Sequence, residues 1–109
     1  MYKKHPDGHI SISAPAALCR HSLHNPLGVP CAIGHLYDEI IPHTRKCYEY
    51  LTPVGLVEMV YGIDNAKCIA IQDANDFEPD AAKRLAVFAA QMTELGIELI
   101  EEPADASHD

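Results

Sequence analysis

The sequence predicts an α/β fold: a small sheet of at least three strands, a C-terminal right-handed βαβ unit, and a layer of short helices separated by prolines. Three observations carry this expectation. His9-Ile10-Ser11-Ile12-Ser13 alternates polar and apolar residues, the period-two pattern of a half-buried strand. From Cys31 onward, apolar residues recur at three- and four-residue steps, as one face of a helix requires. Near the C-terminus, two short β-forming runs, residues 67–72 and 97–101, flank an alanine-lined helical stretch.

Taken in order, Asp7-Gly8 is a turn signal ahead of the first strand. Ser13 as N-cap and Pro15 in a first turn predict a short helix over residues 16–23, stopped by Asn25-Pro26. After a connector at residues 27–30, the apolar face Cys31, Ile33, Leu36, Tyr37, Ile40 and Ile41 makes a helix that Gly34 weakens and Pro42 ends. A second helical piece is expected over residues 43–51. Thr52-Pro53 then starts a third, with Gly62 placed as a left-handed C-cap. Residues 67–72 read as a buried strand and residues 73–77 as a loop. Glu78-Pro79-Asp80 opens a helix whose apolar stripe is Ala82, Leu85, Ala86, Ala89, Met92 and Leu95, and Gly96 closes it. Residues 97–101 then lie parallel to residues 67–72.

The chain of 109 residues is expected to be one domain, residues 1–109, with residues 103–109 a frayed acidic tail. Its 48% hydrophobic content is enough for a packed core without disulfides or metal. No apolar segment follows the two N-terminal lysines, and no run approaches a membrane span, so neither a signal peptide nor membrane contact is expected. The four cysteines are then reduced thiols, and the location expected is cytoplasmic.

The net charge of −8 is uneven. Residues 1–50 carry five basic against four acidic side chains, and residues 51–109 carry three against twelve. Phosphate backbones repel such a surface, which argues against nucleic-acid binding. Six of the seven histidines also lie in the first half, so stability or association is expected to change between about pH 7.5 and 5.5.

Two constellations bear on chemistry. Cys31 with His35, and His43 with Cys47, are each four residues apart, so on a helix each pair would share a face and all four together would suit a tetrahedral zinc ion. In a parallel sheet, ligands gather beyond the carboxyl ends of the strands, where Asp73, Asn75 and Glu101 would share a rim able to hold Mg²⁺ or a polar substrate. Asp73-Ala74-Asn75 followed one helix later by Ile100-Glu101-Glu102-Pro103 is similar to a two-strand stretch of the enolase superfamily. That resemblance, confined to residues 73–103, implies Asp73 and Glu101 as magnesium ligands. The rest of the chain lacks the third acid, the bases and the length of a (β/α)₈ barrel, and no family is assigned.

Cys19 near His21 and His24, and Cys47 near Arg45 and Lys46, read better as core thiols than as nucleophiles. There is no glycine-rich phosphate loop and no nucleophile elbow. The expected function is therefore a small non-enzymatic interaction or regulatory domain. Self-association is expected from apolar side chains such as Tyr48, Tyr50, Met59 and Tyr61. The alternatives are zinc-type metal binding through the Cys/His cluster, or an enzyme working from the acidic rim.

Overall fold

The computed structural model describes residues 2–43 and 51–101. A three-stranded mixed sheet joins the two ends of the chain: β1 (Lys3–Lys4), β2 (Ile10–Ser13) and β3 (Ile97–Ile100), in the order β1-β2-β3. The first two pair antiparallel through a tight turn in which Gly8 takes a φ of +94° and the His5 N–H donates to the His9 carbonyl at 2.8 Å. The second and third pair in parallel, with Ile10 opposite Ile97, Ser11 opposite Glu98 and Ile12 opposite Leu99. The two-residue period sends Ile10, Ile12, Ile97 and Leu99 toward the core and leaves His9, Ser11 and Glu98 on the other face.

Between β2 and β3 lie α1 (Ala32–Ile40), a 3₁₀ turn at Ile41–His43, α2 (Pro53–Tyr61), α3 (Asn65–Phe77) and α4 (Ala81–Glu94). Each α-helix starts on a side chain that satisfies an otherwise unpaired first-turn N–H: Cys31, Thr52, Asp64 and Asp80 in turn. Gly62 closes α2 with a φ of +69°, the left-handed cap expected there. The core under the sheet joins Ile12, Leu36, Leu56, Ile71, Phe88 and Met92, all fully buried. Among the described residues no helix is long and apolar enough to cross a membrane.

A broadly α/β architecture with a small mixed sheet is therefore present, but the β and α segments are distributed differently from the sequence expectation. Residues 67–72 are helical, inside α3, and so are residues 73–77. Asp64 accepts from the Lys67 N–H at 2.8 Å and starts the helix, after which Cys68, Ile71 and Asn75 bury one side of it. The spacing of those three residues, with Ala66, Ala70 and Ala74 on the sides, outweighs the β-propensity of the Cys68-Ile69-Ala70-Ile71 run. The parallel neighbour of β3 is accordingly β2.

Residues 16–23 are not helical either. The Cys19 N–H donates to the Pro30 carbonyl and the Cys31 N–H to the Leu23 carbonyl, which folds this stretch back on itself as a looped excursion. In α4 the buried residues are Phe88 and Met92, while Ala82 and Ala86 face solvent, so the stripe lies further round the helix than the alanine pattern suggests. Most of the helical piece expected over residues 43–51, and the acidic tail at residues 103–109, lie outside the described residues.

Candidate functional site

The excursion from Ala14 to Pro30 has almost no regular structure, so side chains from the helices hold it. Arg84 Nε donates to the Leu18 carbonyl at 3.0 Å, and Asn75 Nδ2 donates to the Cys19 carbonyl at 2.8 Å. Arg20 Nε returns a bond to the Asp76 carbonyl at 2.7 Å. The Asp76 carboxylate then accepts from the His21 N–H at 2.9 Å, from Gln72 Nε2 at 2.8 Å and from Asn75 Nδ2 at 3.1 Å. Burial pushes the Asp76 carboxyl upward, but those hydrogen bonds together with the nearby His21 ring outweigh it, and its pKa lies below the ordinary value. His21 sits at the tip of this clamp with a φ of +65°, a left-handed conformation that a non-glycine residue holds only where its surroundings impose it.

Beside the clamp runs an apolar groove of about 370 Å³. Cys31 and Ile33 contribute from the start of α1, Val54 from α2, and Cys68 and Ile69 from α3. Gln72, Asp73 and Asp76 also line it from α3, and residues 21–23 from the excursion. Ile69 is 52% exposed, so a substantial apolar surface faces solvent there. The carboxylates in the lining are Asp73 and Asp76, His21 is the one imidazole, and no lysine or arginine is among them.

Of the four residues expected to hold zinc, the three that are described, Cys31, His35 and His43, turn to different neighbours. Cys31 is the N-cap of α1, with an extended backbone, and its thiol accepts from the Gly34 N–H at 3.3 Å and donates to Gln72 Oε1 at 3.1 Å. A cap residue lies half outside the helix, so the facing rule for residues four apart does not apply to it. His35 turns to other neighbours: its Nε2 donates to the Ser13 carbonyl at 2.6 Å, and its ring meets Phe88 edge-on at 5.7 Å. His43 is exposed, with its ring 6.3 Å from Tyr2, and Cys47 lies outside the described residues.

Two of the thiols, Cys31 and Cys68, are also held toward their protonated form. Burial pushes Cys31 up, with the Gly34 N–H opposing it only in part, and burial likewise raises Cys68, aided by Glu58 and Asp64. A raised pKa does not suit a thiolate nucleophile or ligand.

The acidic rim loses its foundation, because residues 67–72 form no strand. Asp73 is exposed on α3 at the groove, and Asn75 is buried as part of the clamp. Glu101 follows β3 and lines a different depression with Ala14, Pro15 and Leu85. The likeness to the enolase stretch fails for the same reason, since Asp73 does not follow a strand.

One cluster went unnoticed in the sequence. Among the described residues, His5, His9 and Glu98 bring one ligand atom each to within 4.8 Å of one another. The signal for half of it was present: the turn His5-Pro6-Asp7-Gly8-His9 has a histidine at each end. Glu98 is 89 positions beyond His9, and only strand pairing brings it there. No family model matches this chain, and no curated protein or solved structure is significantly similar to it.

Proposed function

We propose that this protein is a non-enzymatic interaction module whose apolar groove between α1, α2 and α3 receives a partner polypeptide, an apolar side chain of the partner being flanked by lysine or arginine. The observation carrying this reading is the lining: an apolar surface exposed at Ile69 and half-exposed at Val54, floored by the buried Ile33 and edged by Asp73 and Asp76 with no lysine or arginine. Apolar burial supplies affinity in such a contact, and the acidic edge with the chain's net charge of −8 selects a basic neighbour. The raised pKa values of Cys31 and Cys68 support a binding role over thiolate chemistry. Free thiols at Cys19, Cys31 and Cys68 agree with a reducing compartment, and we place the protein in the cytoplasm.

Selection of a displayed random-peptide library on the wild-type chain tests the reading. The expected winners pair a large apolar residue with an adjacent lysine or arginine, and bind at least tenfold more weakly to Ile69→Asp and to Asp73→Lys. Winners without that pairing, or winners that bind both variants as well as wild type, would overturn it. Self-association is the second reading, supported by the exposure of Met59 at 49%, Ile69 at 52% and Phe77 at 80% on α2 and α3. The unequal charge of the two halves suits a head-to-tail contact. Sedimentation over a dilution series separates the two: a dimer dispersed by Ile69→Asp assigns the groove to a second copy, and a strict monomer excludes that.

A further inference from the structure

We propose that His5, His9 and Glu98 form a site for a divalent transition-metal ion of the zinc type on the solvent face of the sheet, with Asp7 orienting His9. The pairing puts these groups together. His5 and His9 face each other across the β1–β2 turn, joined by the His5 N–H to His9 carbonyl bond, and Ser11 pairs with Glu98 in the neighbouring parallel strand. Residues 9 and 11 project to the same side of β2, so both imidazoles and the carboxylate meet over Ser11.

Distances and hydrogen bonds fit a cation. His9 Nε2 lies 3.4 Å from Glu98 Oε1. Two ligands about 2.05 Å from a tetrahedral zinc are about 3.3 Å apart. The other ring nitrogen, Nδ1, is 2.5 Å from Asp7 Oδ1, which also accepts the His9 backbone N–H at 3.0 Å. With the proton on Nδ1 and directed at Asp7, the Nε2 lone pair points at Glu98, and two acceptors so placed call for a cation between them. A carboxylate behind a ligating imidazole is the usual means of fixing its tautomer and orientation.

His5 Nε2 approaches from the other side and donates to Ser11 Oγ at 2.6 Å, the Ser11 hydroxyl donating in turn to the same Glu98 oxygen at 3.0 Å, so an ion would take His5 in exchange for that bond. The two rings start stacked, 3.9 Å between centroids and 8° from parallel, so closing on an ion asks for a ring rotation at partly exposed side chains. Lys3, opposite Ser11 in the hairpin, brings one positive charge, and Asp7 with Glu98 outweighs it.

Two imidazoles and one carboxylate select zinc, nickel or copper over magnesium and calcium, whose preferred ligands are all oxygen. Three protein ligands leave a coordination position open for water or a partner's side chain.

Calorimetric titration of the full chain with Zn²⁺, and with Co²⁺ followed by its visible spectrum, tests the site. About one equivalent of saturable binding is expected, with cobalt bands of nitrogen and oxygen ligation and no thiolate charge-transfer band. Affinity is expected to fall about 100-fold in His9→Ala and in Glu98→Gln, and about 10- to 100-fold in Asp7→Asn. His24→Ala, whose ring pairs with Asp38 elsewhere, is expected to bind as wild type does. All these positions are at the surface, and circular dichroism checks that each variant is folded. The proposal is overturned if there is no saturable uptake, if a thiolate band appears, or if folded His9→Ala and Glu98→Gln retain wild-type affinity.

Discussion

Removing the carboxylate of Asp76 is expected to release the irregular excursion from the helices. Three donors converge on its Oδ1: the His21 N–H, Gln72 Nε2 and Asn75 Nδ2, at 2.9, 2.8 and 3.1 Å. A hydrogen bond to a charged acceptor contributes about 1.5–3 kcal/mol, but the His21 amide is at the surface and water replaces part of what is lost. Asp76→Ala is therefore expected to cost about 2–3 kcal/mol, a large share of the ~5–15 kcal/mol typical of a domain. Asp76→Asn keeps one acceptor oxygen and loses the charge, for about 1 kcal/mol.

Urea denaturation at pH 7 measures both losses, and amide exchange at His21 reports whether the excursion opens locally. The pH arm has a definite sign. The folded pKa is held below the ordinary 3.8, so the unfolded chain binds the proton more tightly and acid favours unfolding. The contribution of Asp76 is fully present above the ordinary carboxylate range and disappears as pH falls through the lowered folded value. The advantage of wild type over Asp76→Asn shrinks over the same interval. If Asp76→Ala stays within about 0.5 kcal/mol of wild type at pH 7, as an ordinary surface substitution would, the clamp is not what holds the excursion.

Three further outcomes follow from single contacts. Gly34→Ala adds a Cβ that would lie 2.3 Å from the Leu23 carbonyl oxygen; overpacking of about 1–3 kcal/mol is expected to beat the ~1 kcal/mol gain in helix propensity, and a stabilised variant in thermal melts would refute the close approach. Asp64→Ala removes the cap of α3 and is expected to cost about 1 kcal/mol by chemical denaturation, with no loss if residues 67–72 were a strand. Tyr61 donates its hydroxyl to the Leu36 carbonyl at 2.8 Å, and burial pushes its pKa well above 10. Since the unfolded chain releases that proton first, stability is expected to fall above about pH 10, and an ultraviolet titration in which every tyrosine ionises normally in the folded protein would contradict the burial.

Much of the architecture was legible where a local rule had no competitor. The β2 alternation, the Pro53 start and Gly62 stop of α2, the helix from Cys31 to Pro42, and the strand after Gly96 all rest on residues whose backbone preference and burial period agree. Residues 67–72 had a competitor: their β-rich composition argued for a strand, while the burial of Cys68, Ile71 and Asn75 on one side made them helical. Gly34 is the reverse case, a weak helix residue whose missing Cβ lets the helix touch the Leu23 backbone.

Composition and periodicity determined that this chain forms a small sheet packed by helices, because turns, caps and apolar spacing act over a few residues at a time. Which polar side chains meet was left to tertiary structure. Cys31 and His35 are four apart yet bond to different neighbours, whereas His9 and Glu98 are far apart in the chain and lie 3.4 Å from each other. A binding site depends on distances between side chains, and strand register and cap geometry set those only once the chain has closed on its core.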